Sequence, residues 1–466
     1  MSVEYTATKE FEISFPIVII GGGACGLCAA LAARDAGQDV LILERDKSLL
    51  GTTAMSTGLI PAAGSIDQAE RGVDDSPSRF AADIMAKTKG RADEVSVLKL
   101  AEESVDTIEW LRGDHDVGLT LLDGFLYPGH SAMRMYGMPN RSGSELMGAL
   151  TTAADTAGVD ILTESLVKDL IATKDGKILG VRIERPDGAL EEIGCQSLIL
   201  ACCGFAGEAD LVSKYIPEIT KAVFHGHSGN KGEAILWGEE LGAQLDDMSA
   251  YQGHAGLAAG HGIPILWPLI MEGGFQINIE GQRFADESKG YSEQAVNVLN
   301  QPKSVAWSIF DERLHQLMIK FDDYQDALRA GAVLSADSLA ELSVLTDIPL
   351  DNLHMTFAEV EACVKGEQND RYGRDFIGKP SLVPPYRAAR VTGALFHTQG
   401  GLRVDENARV VRTDGRLFPN LFAGGGAARG ISGPGADGYI AGNGLLTATT
   451  YGKLAGRAAA QVVSQD

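Results

Sequence analysis

Ile17-Val18-Ile19-Ile20-Gly21-Gly22-Gly23-Ala24-Cys25-Gly26 is the stretch that decides how this chain is read. The β-branched run has the pattern of a short strand buried on both faces. The glycines follow at once, and an alanine-rich helical pattern then continues to about Ala36. Val40-Leu41-Ile42-Leu43 reads as a second strand that ends at Glu44. Strand, glycine turn, helix, strand and acid in this order make a complete βαβ unit for a dinucleotide. Gly21 permits the tight turn, Gly23 lets the backbone approach a pyrophosphate at the helix N-terminus, and Gly26 lets the helix close on the strand. Glu44, with Arg45 beside it, stands about 20 residues on, where an acid accepts hydrogen bonds from a ribose.

Outward from that unit, Gly51-Thr52-Thr53-Ala54-Met55-Ser56-Thr57-Gly58 is rich in small and hydroxyl residues. Such a loop can run along a diphosphate and under a flavin ring, whereas a plain NAD unit would continue into another helix. Gly180-Val181-Arg182-Ile183 and Glu191-Glu192-Ile193 flank Pro186-Asp187-Gly188, the pattern of a hairpin. Between about Leu245 and Val383 the pattern changes, with helical stretches expected at 304–320 and 335–345. Gly256 to Gly262 has the composition of a flexible loop that could gate a site.

The chain has 466 residues, beyond the size at which one core stops growing, so two domains are expected. Hydrophobic residues at 45% and charged residues at 22% are ordinary for a globular protein. A net charge of -23 argues against non-specific nucleic-acid binding and against docking on an anionic membrane. No basic segment followed by an apolar run and a cleavage site marks a secretory signal. The apolar stretch from Phe15 is broken by glycines and makes no membrane span. The six cysteines offer no disulfide framework, so a cytoplasmic location is expected. Cys25 and Cys28 have the spacing of a redox pair, but they fall in a helix turn that must pack tightly against the glycine loop. No metal cluster has convincing ligand spacing, and the serines lack a nucleophile elbow.

The hydroxyl-rich loop resembles that of the flavoprotein family of fumarate reductases, succinate dehydrogenases and 3-ketosteroid dehydrogenases. The likeness extends over most of the chain. Leu198 to Phe205 resembles the family's strand and A-T-G-G-F turn, and Pro419 to Gly426 its C-terminal strand and flavin-contacting glycines. Gly442-Asn443-Gly444-Leu445-Leu446 resembles the helix start beneath the flavin pyrimidine, where the helix dipole stabilises negative charge. Glutamate is common in the family where Gly426 stands. The resemblance implies an α/β fold. A Rossmann-like FAD-binding domain, split into residues 1–240 and 384–466, would carry an inserted α+β cap at residues 241–383. It implies FAD contacts at Thr52, Thr53, Ser56, Gly58, Val167, Ala201, Gly204, Gly425, Gly444, Leu445 and Leu446. Thr52 stands where succinate dehydrogenases have the histidine bonded to FAD, so non-covalent FAD is implied.

In fumarate reductases one arginine follows a G-x-R-F-x-N-E motif and donates a proton, and another precedes the G-N motif and grips a carboxylate. Here Gly281-Gln282-Arg283-Phe284-Ala285-Asp286-Glu287 is the first motif. Tyr291 stands where the first arginine is expected, and Tyr439 where the second is. A guanidinium suits a dicarboxylate, whereas a neutral phenol exchanges hydrogen bonds with a ketone or enol. Ketosteroid dehydrogenases carry tyrosines in this cleft. The resemblance therefore implies α,β-desaturation of a ketone, with hydride to flavin N5 and a proton to one tyrosine. His254, in Tyr251-Gln252-Gly253-His254, and His397, in Phe396-His397-Thr398-Gln399-Gly400-Gly401, match histidines that contact substrate. If both face the cleft, a cyclic oxo-acid such as 4-oxocyclohexanecarboxylate becomes a candidate beside a 3-ketosteroid. Tyr127, Arg134 and Tyr136 fall in a family region near substrate. The other readings are a fumarate-reductase-like enoate reductase and a non-catalytic flavin sensor. The partners expected are a small-molecule substrate and an electron acceptor, which could be oxygen, a quinone or a protein.

Overall fold

In the computed structural model, which describes residues 2–465, the strand Ile13–Ile20 runs parallel to both Val40–Leu43 and Leu190–Leu200. Ile17 to Ile20 are buried, as a strand covered on both faces requires. Asp160–Leu162 pairs parallel with Val40–Leu43, and Leu417–Ala423 pairs parallel with the end of Leu190–Leu200. The glycine loop thus leaves the carboxyl edge of a parallel sheet, where open α/β folds bind ligands. Leu190–Leu200 is long because it serves two sets of partners. Its first half pairs antiparallel with Ile178–Glu184 across the turn at Gly188, which has φ +83°. Ser2–Tyr5, Leu166–Ala172 and Arg409–Val411 complete nine strands.

The helices Ala24–Asp35 and Asn443–Val463 lie side by side with their N-termini at the same end of the sheet. A Cβ on Gly452 would stand 2.4 Å from the Cys25 carbonyl oxygen, and one on Gly456 2.1 Å from that of Ala29. Only glycine allows this approach. Every residue from Ala24 to Ala33 is buried, which explains the run of small side chains. Burial raises the Cys25 thiol well above its ordinary range and that of Cys28 to about 12. A redox pair needs the opposite shift.

A second, six-stranded sheet is built around Tyr386–Thr398. Val305–Asp311, Val333–Ala336 and Tyr251–Ala258 pair with it antiparallel, and Val223–Phe224 pairs parallel. Phe275–Ile277 adds to Val305–Asp311. Two of these strands come from outside residues 241–383, so chain on both sides of that segment closes the second sheet. The helix expected over 304–320 is half strand. All of Val305–Asp311 is buried in the sheet, and only Glu312–Met318 is helical. A strand buried on both faces has no alternation to tell it from a buried helix. The helix expected over 335–345 runs instead at Leu339–Thr346, because Ser335 lies within the strand Val333–Ala336. The loop expected at 256–262 is corrected in its first part only, since the strand runs to Ala258 and a largely exposed turn follows at 259–261. Gly256 is sheet backbone, with the Ile265 carbonyl oxygen 2.4 Å from where its Cβ would be. Among the described residues no helix is long and apolar enough to cross a membrane, and no cluster could hold a metal ion.

Candidate active site

The glycine loop opens a groove lined by Gly21, Gly23, Glu44, Arg45, Val167, Ala201 and Gly425. Gly21 has φ +104°, and a Cβ there would stand 2.6 Å from the Ala201 carbonyl oxygen. A Cβ on Gly26 would stand 1.9 Å from the carbonyl oxygen of Gly21. At Gly23 the closest atom to that position is Thr53 Oγ1, at 3.7 Å, so this face is open to the groove. Two of the glycines therefore serve the chain's own packing, and the third leaves room for a ligand. Glu44 braces the loop by accepting N–H bonds from Gly22 at 2.8 Å and Asp46 at 3.0 Å. Arg45 donates to the Gly229 carbonyl at 2.9 Å and pairs with buried Glu233.

We expect Gly26→Val to push the helix off the loop, at a cost of about 1–3 kcal/mol. Its flavin-to-protein absorbance ratio after gel filtration should fall. A ratio equal to that of the unaltered protein would contradict this account of the loop.

The groove runs into a second cleft, and Thr52, Thr53, Cys203, Gly426 and Ala448 line both. Thr53 Oγ1 accepts from the Ala24 amide at 3.3 Å, and Thr52 Oγ1 accepts from Asn230 at 3.0 Å. One end of this continuous space meets the N-terminus of Ala24–Asp35, and the other meets that of Asn443–Val463. This shape fits FAD, with the pyrophosphate at the first helix and the ring system at the second. Ser56, Gly444 and Leu445 line the cleft. Gly26, Gly58, Gly204 and Leu446 line neither space. Gly58, with φ +68°, packs on the Ser142 carbonyl, Gly204 packs on Thr398, and Leu446 is fully buried. They support the walls from behind.

The cleft encloses about 1220 Å³ including its mouth, and Tyr291, Tyr439, His254 and His397 all line it. Tyr439 sits between two of the others, its ring centroid 6.0 Å from Tyr291 and 5.7 Å from His397. His254 lies 5.0 Å from Tyr291 and stacks on Phe396 at 4.9 Å. Burial raises both phenols, Tyr291 most strongly. For Tyr439 the nearby Gly444 amide and Tyr291 hydroxyl oppose that rise. For Tyr291 the neighbouring Tyr439, Tyr127 and Glu293 add to it.

Burial lowers His254 to about 3 and His397 to about 4, so both are neutral at pH 7. The Gly256 N–H donates to His254 Nδ1 at 3.0 Å, which leaves the ring proton on Nε2. The folded values lie below the ordinary 6.5, so the unfolded chain binds the extra protons. This contribution to stability is complete above about pH 6.5 and is lost as pH falls toward the folded values. Urea midpoints between pH 6 and 4.5 should fall less steeply in His254→Gln, by about one bound proton. An unchanged slope would mean that His254 is already charged in the folded protein.

Tyr127 lines the cleft, but Arg134 and Tyr136 do not, which corrects the expectation that they lie near substrate. Fully buried Arg134 bonds to Asp75 at 2.9 Å, to Asp83 at 2.6 Å and to His130 Nδ1 at 3.0 Å. His130 Nε2 lies 3.0 Å from the Ala441 carbonyl oxygen, so the network braces the segment that carries Tyr439. Tyr136 donates to Ser65 Oγ at 2.7 Å in the core. The 281–287 motif is likewise structural. Arg283 Nη2 and Arg374 Nη1 bond to Glu287 Oε2 at 2.9 and 3.0 Å, and Arg283 also pairs with Asp370. Glu287 opens the turn that feeds Tyr291 into its helix.

Sequence reasoning missed Asp323, Trp267 and Cys203, all of which line the cleft. Cys203 carried a usable signal. It occupies a glycine position of the A-T-G-G-F pattern and adopts φ +69°, rare for a side chain other than glycine.

A family model described as "FAD binding domain" matches residues 16–445. The chain is 25% identical over 447 residues to a fumarate reductase (cytochrome) of Shewanella frigidimarina, covering 96% of this chain and 77% of that protein. It is 24% identical over 437 residues to a urocanate reductase of Eggerthella lenta, covering 90% and 70%. Among solved structures it resembles the open conformation of a flavocytochrome c3 fumarate reductase. The TM-score is 0.81 at 25% identity, over 97% of this chain and 79% of the other. The fold also matches 3-ketosteroid-delta4-(5alpha)-dehydrogenase from Rhodococcus jostii RHA1, with TM-score 0.77 at 23% identity over 98% and 99%.

Proposed function

Because this chain belongs to the FAD binding domain family, we propose that it desaturates a ketone at its α and β carbons. It is an FAD-dependent oxidoreductase acting on CH–CH bonds. The division into an FAD-binding domain and a cap over residues 241–383 is part of the same proposal. The observation that carries the reaction is the Tyr291–Tyr439 pair in a cleft lined by no lysine or arginine among the described residues. Burial holds all three cleft histidines, His225, His254 and His397, below their ordinary value, so no described cleft side chain balances a dicarboxylate, and burying unpaired charge is costly. A neutral carbonyl meets no such penalty, and the oxo-acid candidate is disfavoured for the same reason.

Bound FAD supplies a hydride acceptor beside the cleft. Tyr439 takes the α-proton as its phenolate, which burial opposes and which the nearby Gly444 amide and Tyr291 hydroxyl partly offset. Tyr291, beside Tyr439, stays protonated, because burial and its own neighbours oppose its ionisation. Tyr127, Trp267 and Phe396 keep water from the reacting carbons. The names of the sequence relatives favour the reverse direction, reduction of an activated double bond, on the same residues.

Anaerobic mixing of the yellow protein with cyclic ketones, 3-ketosteroids, 4-oxocyclohexanecarboxylate and succinate tests this reading. Bleaching by neutral ketones is expected. Bleaching by succinate alone would assign an enoate reductase, and an oxidised flavin throughout would assign a sensor.

A further inference from the structure

We propose that the substrate carries a positive charge at the end remote from its carbonyl, and that Asp323 holds it. This inference rests on the ketone reading above and deepens it to a class of substrate. Asp323 lines the cleft from the first turn of the helix Asp322–Arg329. Its carboxylate has no hydrogen bond or ion pair with any described residue. Its like-charged neighbours Asp322 and Asp326 are exposed and face away from the cleft. Arg141 lies over the Phe321 ring at 5.0 Å rather than pairing with Asp323. Apart from any cation a ligand brings, this carboxylate has no counter-charge in the cleft.

Its place in the cleft follows from its neighbours. Asp323 is close enough to raise the Tyr127 phenol, so it stands on the Tyr127 side of the cleft. Tyr127 lines the cleft near it, and two further rings pack behind Tyr127. Phe125 meets Tyr127 edge-on at 5.1 Å and Phe321 at 6.1 Å. An unpaired carboxylate in a cleft whose described lining includes no lysine or arginine complements a substituted ammonium group. Burial and the two neighbouring aspartates raise Asp323 to about 6, so it is still mostly charged at pH 7.5. The net charge of -23 favours the approach of a cation.

Two ketones of one shape separate charge from size: 1,1-dimethyl-4-oxopiperidinium and 4,4-dimethylcyclohexanone. Each is titrated into the FAD-loaded protein, and binding is read from the perturbed spectrum of oxidised flavin. The cation should bind about tenfold more tightly, a preference that disappears in Asp323→Asn. Equal affinities in the unaltered protein, or a preference that survives in Asp323→Asn, would overturn the proposal. Tighter binding of 4-hydroxycyclohexanone alone would also overturn it, since Asp323 would then read a hydroxyl. Binding needs no turnover. A cation preference without flavin bleaching by any ketone would therefore uphold the charge recognition while the ketone reading failed separately.

Discussion

Tyr439→Phe is expected to keep FAD bound and to slow reduction of the flavin by a ketone about 10²–10⁴-fold, the usual worth of a positioned proton acceptor. The hydroxyl removed is the one that the Gly444 amide and the Tyr291 hydroxyl address. Its loss leaves the α-proton without a partner while the hydride acceptor stays in place. Tyr291→Phe removes one neighbour of that hydroxyl and should cost less, because the Gly444 amide remains. Stopped-flow reduction of the two variants gives the order directly. A larger loss in Tyr291→Phe would exchange the two roles, and unaltered rates in both would remove the phenols from the reaction. Retained yellow colour in both separates chemistry from loss of the cofactor.

Glu287→Ala is expected to be the most destabilising single change near the site, at about 3–5 kcal/mol. Glu287 is fully buried between Arg283 and Arg374, and it also accepts the Gln276 amide at 3.1 Å. Its removal leaves two guanidiniums buried near one another with only Asp370 paired to Arg283. These cations hold the carboxyl below its ordinary value, against the burial that would raise it. The bond to Glu287 therefore stabilises the protein above about pH 4.5 and is lost as pH falls through the depressed folded value. Urea denaturation at pH 7.5 measures the loss. A decrease below about 1 kcal/mol would mean that the arginines find other partners.

The FAD-binding half was legible in the sequence because its signals are local. A buried strand, a glycine turn and a helix start are each dictated by neighbouring residues, and the structure reproduces them at Ile13–Ile20, Gly21 and Ala24–Asp35. The second sheet was less legible. Val305–Asp311 is covered on both faces, which erases the period that distinguishes strand from helix. Arg134 looked like a site residue because it lies in a family region near substrate, and Glu287 ends the motif that locates Tyr291. Their partners, Asp75 and Arg374, are too distant in sequence for any pattern to reveal that they are braces.

By itself the sequence determined the dinucleotide unit, the presence of Tyr291 and Tyr439 where the family resemblance leads one to expect arginines, and the presence of His254 and His397. Tertiary structure alone decided that these four side chains share one cleft, that the histidines are neutral there, and that Asp323 lines the same cleft. The reason is physical. Backbone turns are set by residues in contact along the chain. Burial, and with it the protonation state of a side chain, is set by whatever distant segments fold against it.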